Sequence, residues 1–206
     1  MAAGSPTARQ RAPTKGVGLN RARVVETATQ LVEEVGYEAV SVRRLASDLG
    51  VTAPALYDHV ASKAELLRAV AEGGYLRLLE GFDVDGDTAI ARCRARAVAY
   101  VTFAETHPEL FRVMFLYRPR AFAIEADNEL QAASDAFEVP LADIRLAIAE
   151  GDLPDRDPLQ LSLTLWASVH GVASLSLMAP AIARHVVDDV IDAGLRGLRP
   201  DRDDTH

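Results

Sequence analysis

The sequence predicts an all-α protein. Apolar residues recur at every third or fourth position through most of its 206 residues, which is the spacing of one face of a helix. These periodic stretches begin at residue types that cap helices and end at glycine or near proline. Alternating leucines at positions 159 to 165 imitate a strand, but the apolar run continues to Leu177, which is too long for a strand. A helix is therefore expected there as well.

The composition indicates one compact, folded body. Hydrophobic residues make up 49% of the chain and charged residues 25%, which is close to the globular average. The single cysteine, Cys93, cannot form an intramolecular disulfide, which excludes a secreted, disulfide-stapled domain. The first 19 residues lack the apolar segment of a signal peptide, so we expect a cytoplasmic protein.

A charge-free run over residues 158–183 offers a transmembrane alternative. It contains seven polar residues, namely Gln160, Ser162, Thr164, Ser168, His170, Ser174 and Ser176, and Pro180 interrupts it. This polar content favours a buried helix over a lipid-facing one, so no membrane partner is expected.

Charge is distributed unevenly along the chain. The net charge is −8, but residues 1–70 hold nine basic and seven acidic groups, whereas residues 71–206 hold thirteen and twenty-three. The first 25 residues carry five basic groups and no acid: Arg9, Arg11, Lys15, Arg21 and Arg23. A basic arm over residues 1–17 suggests a polyanionic partner such as DNA, and a merely solvated tail is the alternative.

The first two helices are bounded by cap and stop residues. Asn20 is the predicted N-cap of the first helix and Gly36 its stop. The apolar face between them consists of Val24, Ala28, Leu31, Val32 and Val35. Ser41 is the predicted N-cap of the second helix, and Gly50 ends it.

Two further helices complete the N-terminal region. Thr52 is predicted to cap a third helix over residues 53–60, with Pro54 in the first turn, where a missing N–H is tolerated. Ser62 and Glu65 have the spacing of a capping box and open a longer helix through Leu78.

The second and third helices, joined by a tight glycine turn, have the pattern of a helix-turn-helix, whose second helix enters the DNA major groove. The exposed side of this helix carries small or hydrogen-bonding residues: Thr52, Ala53, Ala55, Tyr57 and His59. Basic residues flank it as candidate phosphate contacts: Arg43, Arg44 and Lys63. An ordinary helical bundle with a polar face is the alternative.

Four motifs follow one another here: GYEAVSVRRLA at 36–46, LGV at 49–51, PALYDHV at 54–60 and SKAELL at 62–67. In order and spacing they resemble the DNA-binding domain of the TetR family of transcriptional regulators. The resemblance implies an all-helical homodimer that binds operator DNA and a small effector, usually as a repressor. It also implies three regions: the basic arm at 1–17, a three-helix helix-turn-helix DNA-binding domain at 18–78, and a helical effector-binding and dimerisation domain at 79–206.

By position, the resemblance assigns the DNA contacts to one surface. The candidates are Ser41, Arg43, Arg44, Thr52, Ala53, Pro54, Ala55, Tyr57, His59 and Lys63. Asp58 departs from the family's pattern, in which a basic or neutral polar residue is common. An acid there either accepts a hydrogen bond from a cytosine N4 amino group or pairs with Arg44.

The C-terminal region is predicted to be helical throughout. One core helix covers residues 91–105, and Thr106 to Glu109 have the spacing of a capping box that opens a short apolar helix. Residues 122–137 and 141–150 are predicted as two helical segments, with Pro140 forcing a kink or a break between them. The acidic loop at 83–87 lacks the ligand spacing of a calcium loop, and we expect neither a metal nor another cofactor.

A second resemblance concerns this region. Trp166, His170 and Gly171 resemble a motif in the C-terminal domain of one large TetR subgroup, which also has a counterpart of residues 107–115. The resemblance places seven residues around an effector cavity: Phe103, His107, Phe111, Met114, Phe115, Trp166 and His170. Aromatic walls with two titratable groups suit a small apolar effector, uncharged or weakly anionic. The alternative is that these side chains simply fill the core.

The final helix carries an apolar stripe opposite a row of aspartates. Its members are Val187, Val190, Ile191, Gly194 and Leu198, and Gly194 would permit close approach of another helix. A twofold dimer that pairs the last two helices with their copies would bury this stripe in a four-helix interface. The alternative is that both helices complete the chain's own core.

An enzyme is the remaining alternative, and the sequence argues against it. Ser168 and His170 are two residues apart on a helix, so they point to different sides and cannot pair as nucleophile and base. We therefore expect a ligand-responsive regulator rather than an enzyme, with a constitutive DNA-binding protein as the third possibility.

Overall fold

The computed structural model describes residues 19–117 and 129–199, and helices account for nearly all regular structure in these ranges. In chain order they are α1 (Arg21–Val35), α2 (Val42–Leu49), α3 (Ala53–Tyr57), α4 (Lys63–Gly81), α5 (Ala89–Thr106), α6 (Pro108–Met114), α7 (Gln131–Ala149), α8 (Pro158–Met178) and α9 (Pro180–Leu198). No strand lies within the described ranges, and the all-α prediction is confirmed. The predicted basic arm at 1–17 lies outside them.

Local hydrogen bonds explain where the N-terminal helices begin. The side chains of Asn20, Ser41 and Ser62 accept the backbone N–H three residues ahead, at 2.9, 3.2 and 3.1 Å. Each bond satisfies an amide that the first turn of a helix otherwise leaves unpaired. The Glu65 carboxylate completes the box at Ser62 by accepting the N–H of Ala61, 2.6 Å away. These three predicted caps are therefore confirmed.

The end of α3 and two predicted caps differ from the structure. Helix α3 ends at Tyr57 instead of continuing to Val60, because the N–H groups of His59 and Val60 both donate to the carbonyl of Leu56. The Thr52 side chain makes no capping bond. The predicted box at Thr106 is wrong, since Thr106 is the last residue of α5 and its hydroxyl donates to the carbonyl of Thr102 at 2.8 Å.

Of the kink or break predicted at Pro140, the break is wrong. Helix α7 runs without interruption from Gln131 to Ala149, with Pro140 in its interior. A proline there removes one backbone hydrogen bond, and packing of α7 against α4, α5 and α8 compensates for the loss. Residues 122–128 of the predicted segment lie outside the described ranges.

The helices form two packed groups joined by α4 and α6. In the first group α1, α2 and α3 bury the fully enclosed Val24, Leu45 and Leu56. In the second group α5, α7, α8 and α9 pack on one another, with α8 and α9 as an adjacent pair. Helix α4 packs on α1 and on α7, whereas α6 packs on α1, α4 and α5. Both connecting helices therefore touch the two groups at once.

Helix α8 is the single helix within the described ranges that is long and apolar enough to cross a membrane. It lies between α5, α7 and α9, and 39% of its most apolar window is buried. A core helix of a water-soluble protein meets the same criteria of length and composition.

Candidate DNA-binding surface and ligand cavity

A glycine turn fixes the angle between α2 and α3. Gly50 adopts the left-handed conformation, with φ 67° and ψ 32°, and the N–H of Val51 donates to the carbonyl of Ala46 at 2.9 Å. Leu45 of α2 and Leu56 of α3 are both fully buried and belong to the same hydrophobic core. Because the apolar side of α3 packs in the core, its opposite side faces solvent.

The solvent side of α3 displays most of the residues predicted to contact DNA. Tyr57 is the most prominent, with 54% of its surface exposed. Thr52 and Pro54 are also exposed, whereas Ala53, Ala55 and His59 are half-buried. Ser41 differs from these because its hydroxyl oxygen accepts the N–H of Arg44 in the α2 cap, which leaves its O–H available to donate.

The three predicted phosphate contacts are held differently. Arg43 is exposed and forms no ion pair with any described residue. Arg44 lies 3.9 Å from the Asp48 carboxylate, one turn along α2. The Nζ of Lys63 donates to the carbonyl of Glu38 at 3.0 Å, which ties the start of α4 to the loop before α2.

Asp58 does not pair with Arg44, contrary to one of the two alternatives that the sequence left open. Arg44 pairs with Asp48 instead, because α2 brings these side chains to adjacent turns. Asp58 caps the end of α3 and is exposed. A contact of Asp58 with a base is the alternative that stays open.

A cavity of about 80 Å³ lies in the second group of helices, several times the space that one water molecule needs. Helices α4, α5, α7 and α8 enclose it together with Phe115 at the end of α6. Most of its wall is apolar, including Leu78, Phe82, Phe137, Ile144, Leu165 and Val169.

Only part of the predicted effector set lines this cavity. Phe115 and Trp166 do. Phe111, Met114 and His170 stand behind the wall, and the first two are core residues with at most 2% exposure. Phe103 and His107 do not line the cavity. His107 points from the end of α5 toward α1, and the ring of Phe103 packs against that of His107. Five of the seven predicted residues thus do not line the cavity, and contact of any of the seven with an effector stays a prediction.

An aromatic cluster closes one side of the cavity. The ring of His170 stacks on Trp166 with centroids 4.9 Å apart, and it lies 4.5 Å from the ring of Phe115. The Tyr100 hydroxyl is 2.9 Å from Nδ1 of His170. Burial lowers the pKa of His170 and raises that of Tyr100, so the neutral imidazole accepts a hydrogen bond from the phenol.

The polar groups of the cavity were not predicted from the sequence. They are Tyr75, Cys93, Arg96, Tyr100 and Ser162. Three of them, Tyr75, Cys93 and Tyr100, share helical spacing with apolar neighbours, so the periodicity assigned them to the core. The arginine at position 96 on the apolar side of α5 was the one available signal, since charged residues are rarely buried unless paired.

Arg96 belongs to a buried group of three charges. Its Nη1 contacts Oδ2 of Asp143, and Nε of Arg92 donates to Oδ1 of the same carboxylate at 3.0 Å. The side chains of Arg96 and Asp143 are 14% and 9% exposed. Arg96 Nε also donates to the carbonyl of Phe82 at 3.1 Å.

The stripe predicted for dimerisation on α9 faces mostly inward. Ile191 and Leu198 are buried in the chain's own core, at 0% and 2% exposure. Gly194 lies against Leu165 and Ser168 of α8, so the close approach it permits is within one chain. Val187 and Val190 are half-buried. The prediction is wrong for Ile191 and Leu198, because both side chains are already buried within a single chain.

A hydrogen bond joins the two groups of helices beside α6. The Nδ1–H of His107 donates to Oε1 of Glu33 on α1 at 2.7 Å. Nη1 of Arg77 on α4 lies 3.6 Å from the same oxygen. Glu33 of α1 therefore contacts Arg77 of α4 and His107 at the start of α6.

Two family models match most of the described chain. The model for bacterial regulatory proteins of the tetR family matches residues 24–70, and that for the tetracyclin repressor-like C-terminal domain matches residues 93–198. The matched families are regulators, not enzymes, which confirms the expectation against catalysis.

Individual proteins agree with these models. Tetracycline repressor protein class C of Escherichia coli is 50% identical over 54 residues, which are 26% of this chain and only 25% of that protein. An uncharacterized HTH-type transcriptional regulator of Mycobacterium tuberculosis is 26% identical over 178 residues, 84% of this chain and 74% of that protein. A structure of a protein with unknown function from Rhodococcus sp. RHA1 has a TM-score of 0.74 and 29% identity, and the match covers 90% of this chain and 98% of that one.

Proposed function

Because the chain belongs to the tetR family of bacterial regulatory proteins, we propose that it is a cytoplasmic repressor that a small apolar effector releases from its operator. Members of this family are soluble transcriptional regulators that bind operator DNA and act as dimers. Ligand response, repression and the individual contact residues are the parts that we propose for this chain.

The observation that carries the proposal is the exposed side of α3. Tyr57 is 54% exposed and stands on the helix that a helix-turn-helix inserts into the major groove, where its hydroxyl can reach a base edge or a phosphate. Arg43 and Lys63 flank this helix and would neutralise phosphates on either side. The acidic excess of residues 71–206 favours an orientation in which the C-terminal domain faces away from DNA.

We place the dimer interface on the free side of α8 and α9. Met178 and Ile182 are 77% and 58% exposed, the largest exposed fractions among the big hydrophobic residues of the described chain. Ala167 and Gly171 are also exposed on α8 and leave room for a second helix. A copy of the same pair would cover this surface in a four-helix arrangement, and the low buried fraction of α8 agrees with it.

The cavity favours a ligand-responsive regulator over a constitutive DNA-binding protein. Helices α4 and α6 line or approach it and also pack on α1, so a bound molecule would act on elements that position α3. An effector can lower DNA binding only by as much as its affinity differs between the two conformers. A constitutive binder would show no change in DNA affinity with any small molecule.

A mobility-shift titration tests the proposal. The DNA is the fragment upstream of the protein's own gene, and the variants are Tyr57→Ala and, as the matched control, Leu146→Ala, which removes an apolar side chain of similar exposure from α7. We expect wild type and the control to bind alike, and Tyr57→Ala to lose about 1–3 kcal/mol of specific binding. Equal binding by all three proteins would contradict the role of α3.

A further inference from the structure

The cavity wall offers hydrogen-bond donors and no carboxylate. Burial raises the pKa of the Cys93 thiol to about 11, so it stays protonated. The Tyr75 hydroxyl donates to main-chain carbonyls of Met114 and Tyr117, 3.2 Å away, and the Tyr100 hydroxyl is bonded to His170. The remaining polar groups of the wall are the Arg96 guanidinium, the Ser162 hydroxyl and the Trp166 indole N–H, which interacts with Tyr100.

Ser162 is buried but makes no hydrogen bond to any described residue. Its exposed fraction is 4%. On the same helix Thr164, Ser168 and Ser176 all donate to backbone carbonyls of the preceding turn, at 2.8, 3.3 and 2.7 Å. This hydroxyl borders the cavity, so it is open there to a hydrogen bond with water or with a ligand.

The charges around Arg96 do not balance. Two guanidinium groups, Arg92 and Arg96, share the single carboxylate of Asp143 and leave one positive charge in a largely buried group. Asp83, another carboxylate that acts on Arg96, is exposed, so water screens it. Among the described residues, Arg96 Nε and Nη1 have partners, whereas Nη2 makes no hydrogen bond. Because Arg96 lines the cavity, an anion bound there would lie beside its guanidinium.

We infer that the effector carries one acidic group on an apolar body, and that this group binds Arg96 and Ser162. A carboxylate or similar anion supplies acceptors for both donors and neutralises the excess charge, while the aromatic wall around Trp166 and Phe137 holds the apolar part. This inference rests on the proposed function, since it names the class of ligand for the same cavity.

Matched probes test the inference in the full-length protein. Phenylacetate and phenylacetamide have the same apolar body and differ in charge, and Trp166, the sole tryptophan, reports their binding by fluorescence. We expect the acid to bind about tenfold more tightly than the amide, because hydrogen bonds to charged groups are stronger. Equal binding, or tighter binding of the amide, would overturn the inference.

Two variants separate the donors from a general effect on folding. Ser162→Ala should weaken binding of the acid severalfold, whereas Ser168→Ala on the same helix, whose hydroxyl is already bonded, should not. Arg96→Gln should abolish the preference for the acid, and urea unfolding checks that this variant is folded. If Arg96→Gln does not fold, Arg96→Lys replaces it and should reduce the preference. Identical behaviour of both serine variants would count against the inference.

The two proposals fail in different ways. If the amide binds and releases DNA while the acid does not, the acidic effector is wrong and the ligand-responsive regulator stands. If neither probe, nor longer acids and amides of the same series, alters Trp166 fluorescence or DNA binding, both proposals are overturned.

Discussion

At the scale of single residues, the basic groups near α3 differ in how freely they can reach DNA. Arg43 is exposed without an ion pair among the described residues, whereas Arg44 is shared with Asp48 and Lys63 also holds the loop at Glu38. A substitution of Lys63 would therefore remove two interactions at once: a phosphate contact and the hydrogen bond to the loop at Glu38. Arg43 gives the cleaner test.

We expect Arg43→Gln to weaken operator binding through charge alone. Removing one phosphate contact should lower the magnitude of the slope of log K against log salt concentration by about 0.9. The measurement is a salt titration of DNA affinity. Arg145→Gln, which breaks an exposed pair with Glu138 in α7, is the control and should leave the slope unchanged. A slope unchanged in Arg43→Gln as well would place Arg43 away from the phosphates.

His170 predicts a pH dependence of stability. Burial lowers its pKa in the folded state, so below the unfolded value of about 6.5 the unfolded chain binds a proton more readily than the folded one. Stability should therefore fall as pH decreases below that value. We expect His170→Gln to lose less stability than wild type between pH 7.5 and pH 5.5 in urea unfolding. An equal loss of unfolding free energy in wild type and in His170→Gln would show that His170 does not cause the pH dependence.

Residues also show what the sequence could and could not predict. The caps at Asn20, Ser41 and Ser62 were predictable because a cap depends on the side chain and backbone within four residues. The burial of Arg96 beside Asp143 depends on the approach of α5 to α7, 47 residues apart in sequence, and no local pattern specifies it. For the same reason the cavity wall was only partly predicted.

At the scale of helices, α6 is one of two helices, with α4, that connect the cavity region to α1. Its core face carries Phe111, which touches the aromatic cluster, and His107 at its start is bonded to Glu33 of α1. A seven-residue helix cannot deform far without moving as a unit. Motion at the cavity end of α6 should therefore reach α1.

We expect His107→Ala to weaken the coupling between effector and DNA. The variant should bind DNA nearly as wild type does, but the fold-change in DNA affinity caused by a saturating ligand should be smaller, because one tie between α6 and α1 is lost. The measurement is DNA affinity with and without ligand in both proteins. Arg145→Gln again serves as the control. An unchanged ratio in His107→Ala would exclude this contact from the coupling.

The helix scale also explains the wrong prediction at Pro140. Local rules favour a break before proline, but α7 packs on three other helices and stays continuous. Conversely, the extent of α1 and α2 was predictable because glycine stops, at Gly36 and Gly50, coincide with the ends of their apolar faces. Tertiary packing thus determines the continuity of α7, whereas local sequence determines where α1 and α2 end.

At the scale of the whole molecule, the correction on α9 changes how a dimer is tested. Ile191→Asp would place a charge in the core of a single chain and unfold it, so it cannot report on assembly. Gly171 is exposed on α8, and no atom outside its own helix lies within 4 Å of a side-chain carbon placed there. A large residue at this position should disturb a partner chain and leave the monomer intact.

We expect Gly171→Arg to convert a dimer to a monomer. Analytical ultracentrifugation at micromolar concentration should show a dimer for wild type and for the control Leu146→Arg on α7, and a monomer for Gly171→Arg with an unchanged circular dichroism spectrum. A wild-type monomer would contradict the dimer, and a dimeric Gly171→Arg would place the interface elsewhere.

The central claim is that two copies of α3 contact DNA together, and a selection from random double-stranded DNA tests it most directly. A twofold dimer of helix-turn-helix domains places its recognition helices in successive major grooves, about 34–36 Å apart. We predict that the enriched sequences form an inverted repeat with half-site centres about one helical turn apart, and that Tyr57→Ala enriches none. Enrichment of a site without twofold symmetry, or the same site with Tyr57→Ala, would contradict the claim.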